Sequence, residues 1–245
     1  MVSDFRLRLA WLRARLRGKR LDLYSELRLL LPRSCSIVEA GAHIGADTQR
    51  LAGAFPKGTI NAFEPIPELF VALQFGTAPL SNVRCYPLAL SDSEGIATCY
   101  VSSGKSDGSS SLLPPTGHTI AFPAVLFNKT TQVRTSTLDQ WSAQEGVAHV
   151  DFMWLDLQGL ELRALQGAQR LLEGVSAIYS EVSFKPLYEG GVLYPELKNW
   201  LKEQGFVAKW SMVEHETYGN ALFTRAKPRV RRQVPGMVGA GNVQA

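Results

Sequence analysis

The chain has 245 residues, 45% of them hydrophobic and 20% charged, enough apolar material for one large α/β domain and unlike collagen, coiled coil or a wholly disordered chain. Its net charge of +4 is concentrated at the ends: seven Lys/Arg face one acid, Asp4, within residues 1–20, and five basic residues fall within 225–232, leaving the stretch between at −7. That distribution excludes a basic nucleic-acid groove through the middle, and no nucleic-acid partner is expected.

No apolar run approaches the roughly 18 residues of a membrane span, and the basic N-terminus lacks the apolar core and cleavage site of a secretory signal. Cys35, Cys85 and Cys99 lack zinc spacing; Cys35 and Cys85 lie in apolar runs and read as buried, inert thiols. A reducing, cytoplasmic setting is expected.

Residues 1–33 are read as a basic helical segment. Phe5, Leu9, Leu12 and Leu16 share one helical stripe, Gly18 interrupts it, and the stretch Leu21 to Leu31 stops at Pro32. Two uses stay open: packing on the domain's sheet, or peripheral contact of the first helix with an anionic membrane or a partner. Residues 34–226 then alternate strands (Ser36–Ala40, Thr59–Phe63, Val83–Leu88, Ile96–Val101, Asp151–Leu155, Ala177–Val182) with helices (Asp47–Phe55, Pro67–Phe75, Glu161–Leu172, Tyr194–Gln204). Ser102–Gly117, rich in Ser, Gly and Pro, reads as a long loop. Phe206–Met212 and Ala221–Thr224 read as a closing hairpin across Tyr218-Gly219-Asn220, and residues 227–245 as a basic, then Gly/Val/Pro-rich tail without fixed structure. The pattern predicts a doubly wound, mainly parallel α/β sheet with an antiparallel last strand.

In such sheets ligands bind beyond the C-terminal strand ends. The first strand ends in Glu39-Ala-Gly41-Ala-His43-Ile-Gly45 just before a helix. Gly41 and Gly45 let backbone approach a ligand, and a helix N-terminus offers N–H groups to a carboxylate. The second strand ends in Phe63-Glu64-Pro65, an acid placed to bind two ribose hydroxyls. Together these favour an adenosine-type ligand. The glycines lack the close first pair of a dinucleotide site, and Glu39 suits a cation, so S-adenosylmethionine (SAM) fits better than a nicotinamide dinucleotide.

On these residues the sequence resembles the FkbM family of SAM-dependent methyltransferases. The shared motifs are Glu39–Gly45, Phe63-Glu64-Pro65, Leu90-Ser91-Asp92-Ser93-Glu94-Gly95, Ser110-Ser111-Leu112, Thr137-Leu138-Asp139, and Leu155-Asp156-Leu157-Gln158-Gly159-Leu160-Glu161 through Gly167-Ala168. The resemblance implies a class I methyltransferase (Rossmann-like) fold with a seven-stranded sheet, and SAM, leaving as S-adenosylhomocysteine (SAH), across the first two strands. It implies cofactor contacts from Glu39, Gly41, Ala42, His43, Gly45 and Thr48, from Glu64 and Pro65 at the ribose, from Ser91 and Asp92 at the adenine, and from Ser111, Asp156 and Gln158. His43 stands where the family usually has Asn, and Gln158 where it commonly has Glu.

The methyl of SAM is already electrophilic, so the protein must align an acceptor and manage a proton. Asp156 and Glu181, each at the end of a central strand, are the candidate catalytic residues, with His43, His118 and His215 as secondary bases. As a pair, Asp156 and Glu181 could also hold a hard divalent ion, the less favoured route; no dedicated metal ligands are read. Lys185 and Tyr188 are expected to border the acceptor pocket, and Phe122, Phe127, Tyr188 and Tyr194 suit stacking on a sugar or polyketide face. The expected reaction is O-methylation of a sugar, glycan or secondary-metabolite hydroxyl. The alternatives are a nucleotide-dependent oxidoreductase and a non-catalytic adapter at a membrane or acidic partner.

Overall fold

A computed structural model describes residues 22–226. The amphipathic helix expected over Phe5 to Leu16 and the tail 227–245 lie outside the described residues.

Asp22 caps the first described helix, α1 (Leu23–Leu30), its Oδ1 accepting the Ser25 N–H at 3.0 Å. The strands β1 (Ser36–Ala40), β2 (Thr59–Phe63) and β3 (Val83–Tyr86) follow, with α2 (Ala46–Ala54) and α3 (Pro67–Thr77) as crossovers. Next come β7 (Phe152–Leu155), β8 (Ala177–Ser183), β9 (Phe206–Val213) and β10 (Tyr218–Arg225), in one sheet of order β3-β2-β1-β7-β8-β10-β9. Every neighbouring pair from β3 to β8 is parallel, and β10 alone runs against its neighbours β8 and β9. The expected sheet, with its antiparallel last strand, is the one observed.

Both faces of the sheet are buried, which explains the near-continuous apolar strands. Val38, Met153, Leu155, Ile178 and Val182 face one layer of helices, made by α5 (Leu138–Gln144), α6 (Glu161–Gln166), α7 (Gln169–Leu172) and α8 (Tyr194–Glu203). Ile37, Phe152, Trp154, Ala177 and Tyr179 face α1 and α2, where Leu27, Leu51 and Phe55 complete the layer. Side chains alternate along a strand, so Glu39 and Glu181 stand on the same face as Trp154 and Tyr179.

Four expectations need correction. The segment read as a loop from Ser102 continues a strand: β5 (Gly95–Gly104) pairs antiparallel with β6 (Val125–Ser136), and with β4 (Ala89–Leu90) they form a second, three-stranded sheet. Ser111 also pairs with Tyr100 through two backbone hydrogen bonds of 2.8 and 3.1 Å, so part of the remaining connection, which includes α4 (His118–Ala121), is pinned. The helix expected over Glu161–Leu172 breaks at Gly167, where a Cβ would collide with the Ser91 carbonyl; Asp139 restarts it by accepting the N–H groups of Arg170 and Leu171 at 2.8 and 3.0 Å. The last hairpin turns over residues 214–217, and Gly219 lies inside β10 because the Met212 carbonyl occupies the space of a Cβ. Finally, Cys85 is half-buried in β3, whereas Cys35 and Cys99 are buried; all three thiols are free.

Candidate active site

A cleft of about 270 Å³ opens at the C-terminal ends of β1, β2 and β7. Its walls include Glu39, Gly41, Ala42, His43, Glu64, Pro65, Ser111, Asp156 and Gln158, so nine of the expected site residues meet there. Gly41 (φ 84°), His43 (φ 51°) and Gly45 (φ 88°) hold left-handed backbone in the loop before α2. At Gly41 glycine is compulsory, since a Cβ would strike the Asp156 backbone carbonyl. Gly45 caps α2 and Thr48 is fully buried in its first turn; both support the loop from behind and lie outside the cleft wall.

Glu64 ties the first two strand ends together. Its Oε2 accepts the His43 N–H at 3.0 Å and its Oε1 the Ile66 N–H at 2.8 Å. Burial raises its carboxyl to about 7 against those two bonds, which favour the charged form. Glu39 is 2% exposed and its Oε2 has no hydrogen-bond partner in the protein; burial pushes this carboxyl up to about 8 against the neighbouring Thr48 hydroxyl, with the Asp47 and Asp156 charges adding to the rise. A buried acid with an unpartnered oxygen lining a cleft costs stability until a cation or donor reaches it.

Beyond β7 the chain turns through Gln158 (φ 53°) and Gly159 (φ 99°). Glu161 pins this turn, its Oε1 accepting the Leu157 and Gly159 N–H groups at 2.9 and 3.3 Å, and Ser111 Oγ donates to the Gln158 carbonyl at 3.0 Å. Glu161, expected only to favour a helix dipole, thus positions the loop. The Gln158 amide Nε2 donates to Asp156 Oδ1 and to Glu181 Oε2, both at 2.7 Å. Burial raises both carboxyls, and Glu181, with the Asp156 charge beside it, rises well above the usual range. The two carboxyls are half-buried and meet at one amide, so the pair resists losing its last proton. Glu181 itself sits behind Gln158, outside the cleft wall.

Other expected residues are placed elsewhere. Ser91 is buried, its N–H donating to the Ser136 carbonyl at 3.0 Å, and Asp92 is exposed, accepting from the Ser91 and Ser93 hydroxyls at 3.2 Å each. Neither lines the cleft; the Ser91 backbone packs against Gly167 and pairs with Ser136 of the second sheet. Ala89, Leu90 and Cys99 line the cleft from that sheet instead. Lys185 pairs with Glu216, 3.1 Å distant, at the turn between β9 and β10. Asp107, 3.3 Å from His43 Nε2, also lines the cleft; it stands in a Ser/Gly-rich stretch and carries no local sequence signal.

A parallel sheet with a glycine loop after β1, an acid ending β2 and a polar turn after β7 defines a class I SAM-dependent methyltransferase. The sequence model described as "Methyltransferase FkbM domain" matches residues 39–208, and the chain belongs to this family. The 2-O-methyltransferase NoeI of Sinorhizobium fredii (strain NBRC 101917 / NGR234) is 31% identical over 159 residues, which cover 63% of this chain and 65% of that protein, just under two thirds of its length. Among solved structures, a fibrillarin/Nop5p complex matches at a TM-score of 0.50 and 16% identity, covering 86% of this chain and 78% of that chain, a likeness of fold. The matched family is one of methyltransferases, not of nucleotide-dependent oxidoreductases.

The residues present fit SAM. The unpartnered Glu39 oxygen suits a cationic group, Glu64 keeps lone pairs for two hydroxyls, and the loop at Gly41 leaves no room for a Cβ. A metal between Asp156 and Glu181 fits less well, because the Gln158 nitrogen is the group both carboxylates accept from. No helix among the described residues is long and apolar enough to cross a membrane.

Proposed function

We propose that the protein transfers a methyl group from SAM to a hydroxyl oxygen of a sugar, glycan or secondary metabolite. The observation that carries this reading is the Asp156–Gln158–Glu181 arrangement at the ends of adjacent strands beside the cleft. The likeness to a 2-O-methyltransferase supports an oxygen acceptor.

Bound SAM supplies a methyl already activated by its sulfonium charge. The chain's own residues do the rest. Glu39 and Glu64 would hold the cofactor's amino and ribose groups, and the first-turn N–H groups of α2 would be available to its carboxylate. Asp156 accepts the acceptor's hydroxyl proton as the new C–O bond forms, while Glu181 and the Gln158 amide keep the ionised Asp156 oxygen in place. The burial that raises Asp156 brings its basicity closer to neutral pH, where a general base is most effective.

The test is incubation of the full chain with methyl-labelled SAM and a panel of glycans, glycosides and phenolic or aliphatic alcohols. Label entering an ether, with SAH released in equal amount, supports the reading. Label on nitrogen or carbon alone would overturn it.

A further inference from the structure

A group of aromatic rings borders Glu181 on the side away from the cofactor loop. In the β8–β10 ladder Glu181 stands opposite Asn220 and Ser183 opposite Tyr218, so all four share one face of the sheet and Tyr218 is diagonal to Glu181. Tyr218 stacks near His215, with centroids 5.9 Å apart and planes at 24°, and lies 6.2 Å from Phe122; Phe122 and His215 are 4.9 Å apart. All three rings are half-buried, with part of their surface open.

The connection carrying Phe122 is held against the end of β8 by the His118 N–H, which donates to the Leu187 carbonyl at 2.7 Å. Behind Phe122, His118 is buried and its Nδ1 has no hydrogen-bond partner in the protein. Its ring lies 5.5 Å from that of Tyr188, whose hydroxyl is 2.8 Å from Gln158 Oε1. The ring series therefore runs from the open surface to the amide between the two carboxylates. Of the other aromatics, Tyr194 packs on Phe184 and Phe223, and Phe127 packs on His118.

We propose that Phe122, His215 and Tyr218 form the acceptor subsite beside Glu181, the near-parallel His215 and Tyr218 taking one face of a pyranose ring and Phe122, inclined 52° and 63° to them, closing its side. Asn220 and Glu214, joined at 2.7 Å, lie at its edge to hydrogen-bond ring hydroxyls. A pyranose presents an apolar C–H face and a polar edge, the combination that open aromatic rings flanked by an amide and a carboxylate bind. The inference rests on the O-methylation reading and narrows its acceptor to a sugar.

The test uses the full chain with a panel of methyl hexopyranosides and 6-deoxyhexopyranosides, read by SAH release and by saturation-transfer NMR. Phe122→Ala and, separately, His215→Ala and Tyr218→Ala are compared with wild type, with SAH calorimetry as the check on folding. The expected result is a KM for the glycoside raised about tenfold or more, weakened saturation transfer to its ring protons, and SAH affinity within twofold. Variants that keep SAH binding and the wild-type glycoside KM would overturn the subsite. Wild-type turnover on other alcohols with no glycoside bound would overturn the sugar while leaving O-methylation standing. Turnover on no hydroxyl at all would overturn the underlying reading.

Discussion

Glu64 accepts the backbone N–H of His43 at 3.0 Å, so the acid ending β2 and the glycine loop after β1 move as one unit. Glu64→Gln removes the charge, turns one acceptor into a donor and disturbs the loop. SAH affinity is expected to fall at least about tenfold, since a hydrogen bond to a charged group is worth about 1.5–3 kcal/mol. Calorimetry decides it: an unchanged Kd takes Glu64 out of the cofactor site.

Asp156→Asn keeps the size of the side chain and abolishes the base. Turnover is expected to drop about 10²- to 10⁴-fold, with SAH affinity much less affected. Single-turnover measurement at saturating SAM separates the two effects, and wild-type rates in this variant would move the base elsewhere.

Burial sets Glu39 at about 8 and Glu64 at about 7, both from 4.5. Between the ordinary and raised values, the unfolded chain has released a proton that the folded chain keeps. Stability of the ligand-free protein is therefore expected to fall as pH climbs from 4.5 towards 8, where the Glu39 and Glu64 contributions are spent. Affinity for SAM should run the other way, rising over the same window, because its amino group pairs with an ionised Glu39. Glu39→Gln should lessen both slopes. Melting curves with and without SAH across this range provide the check, and a variant with the wild-type slopes would count against Glu39.

Gly41→Ala forces a Cβ towards the Asp156 carbonyl from a backbone at φ 84°, and a loss of at least about 2 kcal/mol is expected. Gly53, inside α2 with nothing near its missing Cβ, is the control: Gly53→Ala should gain about 0.5 kcal/mol. Urea denaturation of the pair measures both, and equal effects would remove the steric argument at Gly41.

Much of this was legible because a doubly buried parallel sheet writes itself as short apolar runs, each ending in the residue it delivers: Glu39 and Glu64 stand out that way, while Asp156 gains its role from the family resemblance and fits the same pattern. β6 was missed because only Val125, Val133 and Ser136 of its twelve residues are buried; its strand character comes from pairing with β5, which no periodicity reports. Gly219 read as a turn because a glycine's need for space cannot be told from its need for a left-handed φ until the Met212 carbonyl is seen beside it. Ser91, Asp92 and Asp139 are polar residues whose partners are backbone groups or adjacent hydroxyls, and a sequence does not distinguish such a seam from a ligand contact.

The Tyr188 hydroxyl lies 2.7 Å from the Ser109 carbonyl and 2.8 Å from Gln158 Oε1. Both neighbours are acceptors, and a phenol carries a single proton that burial and the nearby acids keep in place. The two oxygens must therefore compete for one donor. Whatever shifts the Ser109 stretch hands that donor to the amide, and whatever turns the amide returns it, so the outer wall of the cleft and its acid pair are two pans of one balance.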